Sequence, residues 1–337
     1  GGQTKKISSA PEGDVIAIGK LDASAGDLLT KNGAQKAAIA PPRRFPVYQI
    51  AIATKDRKDD VRLSGALQKL AEEDAGLNVL HDQVTHEILL QGQGEPHLRQ
   101  VLERLKGRFG VDVSHAPPST PYQETIRKSA EKRGRHKKQT GGHGQFGDCV
   151  IQVRPLPRGG GFEFIDKITG GAIPRQWIPA VEAGVKDAMS KGPIGFPVVD
   201  VQVTLIDGSF HSVDSSEHSF QMAGRLGMND ALAECDPVLL EPIEKLTIFT
   251  PSSGTPKINS AVSSHNGQIL GFESREGWPG WDKVEVYLPH AERQSFIIEL
   301  RSVTQGLATF EAVFDHMVEV TGRRAEEAAK KAQQNAA

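Results

Sequence analysis

The segment Asp207-Gly208-Ser209-Phe210-His211-Ser212-Val213-Asp214-Ser215-Ser216-Glu217 gathers the groups that hydrolases use: an imidazole, hydroxyls and carboxylates. Its spacing argues against that use. His211 and its serine neighbours Ser215 and Ser216 sit only four or five residues apart on one loop, and no G-x-S-x-G elbow presents a nucleophile. A structural reading needs no chemistry. Asp207-Gly208 has the composition of a turn, and Asp214 with Glu217 has the spacing of a capping box ahead of a helix.

A second group of residues points to phosphate. Between positions 127 and 138 stand Arg127, Lys128, Lys132, Arg133, Arg135, Lys137 and Lys138 against the single acid Glu131, so 7 − 1 = +6 over twelve residues. The run leads into Gly141-Gly142-His143-Gly144-Gln145-Phe146-Gly147. Glycines let backbone approach a ligand closely, and clustered cations neutralise phosphates. Composition alone leaves two readings open, an RNA contact or a solvated basic face.

Other chemistries find no support. Gly13 and Gly19-Lys20 imitate a phosphate loop, but five residues separate the glycines instead of four. Leu21 also stands where Ser or Thr would bind magnesium. A barrel turn is the better reading. Cys149 and Cys235 form no CxxC pair, and the 11 histidines show no zinc-finger spacing, so neither a metal nor a cofactor is expected in this chain. Two thiols staple nothing in 337 residues, which suits a reducing cytosol. No apolar run reaches the roughly 20 residues that cross a bilayer, and no signal peptide is visible. A cytoplasmic, monomeric protein without a membrane partner is expected. The net charge of −2 confines any RNA contact to a local patch, and aromatics at 6% disfavour base stacking as the main binding mode.

These residues need elements to hold them. The chain is longer than one core usually spans, and it divides by periodicity. Residues 1–40 read as strands and turns from the tail of a β-barrel, and Pro41-Pro42-Arg43-Arg44 as a linker. Residues 45–118 show a strand at 47–53 and a helix face at Leu63, Leu67 and Leu70. Strands at 77–80 and 87–90 follow, then a helical stripe at Leu98, Val101, Leu102, Leu105 and Phe109, and a strand at 111–113. Pro96 suits the first turn of that second helix. The order is βαββαβ, a split-βαβ sandwich. Residues 119–238 begin basic and Gly-rich, with a helix expected at 174–189, a strand at 198–205, a turn at Asp207-Gly208 and a helix from near Ser215. Residues 239–320 repeat βαββαβ, ending on a strand at 309–313. Residues 321–337 read as a loosely held helix.

Taken together, the motifs resemble elongation factor G. The strongest is Gln139-Thr140-Gly141-Gly142-His143-Gly144-Gln145-Phe146-Gly147. Gly161-Phe162-Glu163-Phe164, Gly170-Gly171-Ala172-Ile173-Pro174-Arg175, Gly195-Phe196-Pro197-Val198-Val199-Asp200-Val201 and the segment 207–217 support it, and Cys235-Asp236-Pro237-Val238-Leu239-Leu240-Glu241-Pro242 continues it. These follow the family's fourth domain in order and spacing. Residues 45–127, with Gly92-Gln93-Gly94-Glu95-Pro96-His97-Leu98, resemble the third, and 240–320 the fifth.

The resemblance implies an α+β multidomain chain. Two ferredoxin-like βαββαβ sandwiches flank an α+β ribosomal-protein-S5-like arm domain, preceded by a short remnant of a β-barrel. It also implies that the family's GTPase domain is absent, so that GTP and magnesium belong to that domain, this fragment is no enzyme, and its parent hydrolyses GTP. The arm enters the decoding region of the ribosome, where tip loops engage the tRNA–mRNA duplex during translocation. Gly144, Gln145 and Phe146 match one tip loop. His211 matches the tip histidine, with Asp214, Ser215 and Ser216 beside it. Lys132, Arg133, Arg135, Lys137 and Lys138 are the expected RNA-facing patch. A paralogue devoted to recycling or regulation, or a GTPase-linked binding module that does not translocate, is the alternative. Departures favour divergence. Phe146 replaces a usual Tyr, and Asp148 puts an acid near the expected RNA. Residues 251–264 lack the family's Glu-Glu-Tyr-Met-Gly-Asp pattern, His265-Asn266 replaces an Arg-Arg pair, and Leu307-Ala308 replaces an Arg-Gly step.

Overall fold

A computed structural model of the chain describes residues 5–21, 29, 45–139 and 144–335. The third domain comprises β1 (Tyr48–Thr54), α1 (Asp60–Glu73), β2 (Asn78–His81), β3 (Ile88–Gly92), α2 (Glu95–Phe109) and β4 (Val113–Ala116). Its strands form one antiparallel sheet in the order β2-β3-β1-β4, the arrangement of a ferredoxin-like sandwich. Alternation along β1 turns Ile50 and Ile52 onto Leu63, Leu67 and Leu70 of α1 and Leu98, Val101 and Leu105 of α2. Pro96 occupies the first turn of α2, where its absent N–H costs nothing. Gly110 ends that helix in the left-handed region at φ 64°. Val111 closes the cap by donating to the Leu105 carbonyl at 3.1 Å, so the strand expected at 111–113 starts only at Val113.

The fourth domain follows with β5 (Gln123–Ile126), β6 (Ala130–Lys138), β7 (Gln145–Pro155), β8 (Phe162–Asp166), α3 (Ile178–Met189), β9 (Val201–Ser209) and α4 (Glu217–Glu234). Its sheet runs β6-β7-β9-β8, and the parallel β8–β9 pair is joined by the crossover helix α3. Ile151, Val153, Val203 and Leu205 meet Val181, Val185, Phe220 and Met228 in the core. Two expectations fail here. The strand expected at 198–205 begins at Val201 and continues to Ser209, because β7 supplies ladder partners: Asp207 pairs with Val150 and Gly208 with Cys149 across a bulge. Asp207-Gly208 is therefore strand, not turn. A Cβ on Gly208 would lie 2.4 Å from the Asp148 carbonyl oxygen, so the glycine serves close packing. The helix cap is also not Asp214: the Ser216 hydroxyl accepts from the Ser219 N–H at 3.2 Å.

The fifth domain comprises β10 (Pro237–Pro251), α5 (Thr255–Ser264), β11 (Gln268–Ser274), β12 (Trp281–Pro289), α6 (Arg293–Val303) and β13 (Thr309–Val320), with the sheet order β11-β12-β10-β13. It repeats the third domain's topology. β13 runs well past the expected 309–313, through a bulge opposite Ile243/Glu244. The domains are joined physically. β5 pairs with the start of β10, Val47 is buried in the fifth-domain core, and Arg301 donates to the Gln93 carbonyl. The tail helix α7 (Arg323–Asn335) is held more firmly than its composition suggests. Arg324 pairs with the buried Glu241 at 2.5 Å, and Ala328 packs with Leu239 and Val320. Residues 5–21 and 29, the described part of the segment read as the tail of a β-barrel, contain no strand. Leu28 and the linker at 41–44 lie outside the described residues. No helix among the described residues is long and apolar enough to cross a membrane.

The substituted positions of the fifth domain have structural employment. His265 sits with a carboxylate at each ring nitrogen, Glu292 at 3.0 Å and Glu299 at 2.9 Å, and its side chain is 12% exposed. Ala308 is a core residue. Replacing His265 with Ala leaves two acids facing each other without a bridge. Both acids are partly solvated, so the expected loss is about 1–2 kcal/mol, below the range for fully buried pairs. A urea titration of the variant checks this, and His265→Ala combined with Glu299→Gln recovers part of the loss.

Candidate nucleic-acid interface

The two motif loops meet at one end of the fourth domain. Gly144, Gln145 and Phe146 lead into and start β7, while His211, Asp214, Ser215 and Ser216 occupy the connection from β9 to α4. Two hydrogen bonds join them and two more brace the β9–α4 connection. The Phe146 N–H donates to the Asp214 carbonyl at 2.8 Å, and the Ser215 N–H to the His211 carbonyl at 3.1 Å. The Ser215 hydroxyl donates to the Phe146 carbonyl at 2.9 Å and accepts from the His211 N–H at 2.9 Å. Gly144 passes so close that a Cβ there would lie 2.7 Å from the Asp214 carboxyl carbon. All seven tip residues expected from the sequence thus share one surface, with Ser216 entering as the helix cap.

His211 projects from this platform, its side chain 54% exposed. Its Nδ1 accepts from the Val213 and Asp214 backbone N–H groups at 3.3 and 3.2 Å, which leaves Nε2 without a partner among the described residues. A ring held by its inner nitrogen and free at its outer one can donate to a ligand oxygen. The hydrolase arrangement is not formed. Ser215 is spent on backbone, and Ser209 donates to Asp148 at 2.6 Å, so neither hydroxyl is poised on the imidazole. Among the described residues no three His, Cys, Asp or Glu side chains are grouped to hold a metal.

The basic run becomes strand β6, and its two-residue period divides the patch. Lys132, Gly134, His136 and Lys138 share the face toward α4, where Lys132 pairs with Glu234. Arg133, Arg135 and Lys137 share the uncovered face. Arg133 binds Asp148 through two hydrogen bonds at 2.7 and 2.5 Å. Arg135 lies 5.5 Å from the centre of the Phe146 ring. Lys137 and Lys138 have no acidic partner among the described residues. The five cations are therefore unequal. Lys132 and Arg133 are committed internally, while Arg135, Lys137 and Lys138 remain available near the tip.

Asp148 does not present an acid to a ligand, as its position in the sequence suggested. It is wholly buried beneath Arg133 and Ser209. Burial alone would raise its pKa, but the hydrogen bonds from Arg133 and Ser209, with the Arg133 charge, together hold it below the ordinary value. The same pair pushes the Arg133 guanidinium further up, by hydrogen bond first and charge second. Sequence reasoning also missed His136, whose Nε2–H donates to Gln145 Oε1 at 2.8 Å and orients that amide. The signal was present: strand pairing of a basic run with the glycine loop brings position 136 opposite Gly147 and beside Gln145. Thr140 to His143 lie outside the described residues.

The chain has clear relatives among known proteins. Residues 45–117 match the family model described as Elongation Factor G, domain III, residues 118–236 match Elongation factor G, domain IV, and residues 238–328 match Elongation factor G C-terminus. An elongation factor G-like protein of Synechocystis is 46% identical over 321 residues, which is 95% of this chain and 48% of that relative. One from Mycobacterium tuberculosis is 42% identical over 319 residues, covering 93% and 44%. Elongation factor G of Aquifex pyrophilus is 41% identical over 326 residues, covering 96% and 46%. A crystal structure of a Thermus thermophilus protein superposes with a TM-score of 0.76 at 37% identity, over 90% of this chain and 45% of the other. The chain spans about half the length of the curated relatives it matches.

Proposed function

The chain belongs to the elongation factor G family, and on that premise we propose that it is the ribosome-binding portion of a longer, elongation factor G-like translational GTPase. Its arm places Gly144–Phe146 and His211–Ser216 against the tRNA–mRNA duplex in the decoding region and so promotes translocation. GTP and magnesium chemistry lies in the remainder of such a protein. The carrying observation is the interlock of the two loops through Ser215, which sets the exposed His211 ring 6.4 Å from the Phe146 ring that Arg135 also approaches, at 5.5 Å. RNA backbone and 2′-hydroxyls are read by polar groups of this kind on glycine-rich loops.

A role in recycling or regulation is the second reading, favoured by charge. Residues 239–320 carry six Lys and Arg against eleven Asp and Glu, so 6 − 11 = −5, which weakens attraction to RNA at the fifth domain. A ribosome pelleting titration with the full-length protein, followed by single-round translocation, separates the two. Ribosome binding without translocation favours the second reading, and no binding removes both.

The divided strand makes a graded expectation. Replacing Arg135, Lys137 and Lys138 with Ala should lower the slope of log K against log salt by roughly 2–3 when all three neutralise phosphates, at about 0.7–0.9 each. Replacing Lys132 alone should leave the slope unchanged, because Glu234 already holds that charge. Equal slopes for the triple variant and the parent would show a solvated face.

A further inference from the structure

The β11–β12 hairpin carries an aromatic stack that neither the core nor the proposed RNA contact uses. Two of the chain's three tryptophans, Trp278 and Trp281, lie in it. The Arg275 guanidinium lies over both Phe249 and Trp278, 4.3 and 4.2 Å from their ring centres. Trp281 meets Trp278 edge-on at 5.6 Å. The backbone closes around this stack. The Trp278 N–H donates to the Arg275 carbonyl at 3.1 Å, the Arg275 N–H to the Trp281 carbonyl at 2.8 Å, and the Ser252 N–H to the Gly280 carbonyl at 2.9 Å. Asp282, just beyond the loop, is fixed by the Ser252 and Thr255 hydroxyls at 2.7 and 2.6 Å. Gly277 and Gly280, at φ +73° and +79°, supply turns that a side chain would strain. The loop is thus ordered in advance, yet Trp278 remains 49% exposed. A pre-ordered indole loses little entropy on binding, and Trp and Arg are the side chains that dominate interface energies.

Charge selects the occupant. Residues 273–285 hold Arg275 and Lys283 against Glu273, Glu276, Asp282 and Glu285, so 2 − 4 = −2, within a domain of net −5. The Arg275 guanidinium is already engaged by two rings. Glu276, beside Trp278, has no cationic partner among the described residues. Such a surface repels phosphate and attracts ammonium and guanidinium groups. We propose that the β11–β12 hairpin docks a Lys/Arg-rich segment of a protein partner, with one cation over the exposed face of Trp278 and another paired to Glu276. This surface is independent of the tip loops and of the RNA reading.

The test titrates decalysine into the full chain by calorimetry at low salt, with a single-stranded oligouridylate as the other arm. Variants are Trp278→Ala, Trp278→Phe and Glu276→Gln, each checked for an unchanged melting curve. Trp278→Ala should weaken decalysine binding roughly three- to thirtyfold, as loss of a cation–π contact does, while Trp278→Phe retains most of it. Trp278→Ala alters no charge, so its effect cannot come from the domain's general acidity. Equal binding by Trp278→Ala and the parent would overturn the proposal, as would oligouridylate binding that is tighter than decalysine and lost with Trp278. Should Trp278→Ala melt early, Glu276→Gln decides. Its side chain makes no hydrogen bond or ion pair among the described residues, and unchanged decalysine affinity in that variant also overturns the proposal.

Discussion

Replacing Gly134 with alanine should destabilise the fourth domain by about 3 kcal/mol, at the top of the range for an overpacked site. A Cβ at this position would stand 2.0 Å from the Ala223 carbonyl oxygen, 2.6 Å from the Gly227 nitrogen and 2.9 Å from the Gly227 Cα. All three atoms are backbone of α4, so no side chain can rotate away and the strand or the helix must move. Interiors at crystal-like density transmit such a shift. Here it would pass along β6 and disturb the Arg133–Asp148 pair, one residue to the N-terminal side, and the His136–Gln145 bond beyond. Valine should be worse. Gly271→Ala is the control. It lies in a strand of the fifth domain with nothing within 4 Å of its would-be Cβ, so it should stay within about 0.5 kcal/mol of the parent. Equal urea midpoints for Gly134→Ala and Gly271→Ala would show that α4 and β6 are not in contact as described.

Gly134 also shows where a sequence stops being informative. In the one-dimensional run it is a gap between cations, and only the register of β6 against α4 makes it a contact point. The third and fifth domains were legible because both bury a single apolar face, so period-two and period-3.6 patterns survive along each element. Ile50 and Ile52 against Leu63, Leu67 and Leu70 is such a case. β13 outruns its expected end because residues beyond Val313 alternate poorly: Phe314 is exposed, and a bulge shifts the ladder there. The Asp207-Gly208 dipeptide misled for a related reason. Its turn chemistry is a local preference, and an eleven-residue neighbour, β7, overrides it by supplying ladder partners. The residues proposed for the tip could be named from the resemblance, but their interlock could not. It depends on Ser215 bridging two segments 69 residues apart. The basic patch was legible as charge, and its division into committed and available cations followed only once β6 was known to be a strand.

His211→Ala should leave the domain folded while slowing tRNA–mRNA movement, if the proposed function holds. Its side chain is half exposed, and among the described residues its ring is held only locally, by the Val213 and Asp214 N–H groups and the Asp214 carboxylate 3.3 Å from Nδ1, so the expected stability loss is below about 1 kcal/mol. Its outer nitrogen, by contrast, is free for a ligand. A hydrogen bond to a charged oxygen contributes about 1.5–3 kcal/mol. If that bond strengthens while the duplex moves, its loss slows the step roughly ten- to a hundredfold. Ribosome-stimulated GTP hydrolysis by the full-length protein should be unaffected, because the proposed function puts that chemistry outside the arm. His211→Asn separates the two jobs of the ring. An Asn oxygen can accept the same backbone N–H groups in an Asx turn, which keeps the loop in place, but it puts no donor where Nε2 stands. Translocation should therefore be slow in both variants, whereas any change in melting should appear only in His211→Ala. Ser215→Ala gives the opposite pattern. It loses the hydroxyl that both donates to Phe146 and accepts from His211, so melting and translocation fall together. Measured side by side, wild-type translocation in His211→Asn would remove His211 from the contact and leave it as an ordinary turn residue.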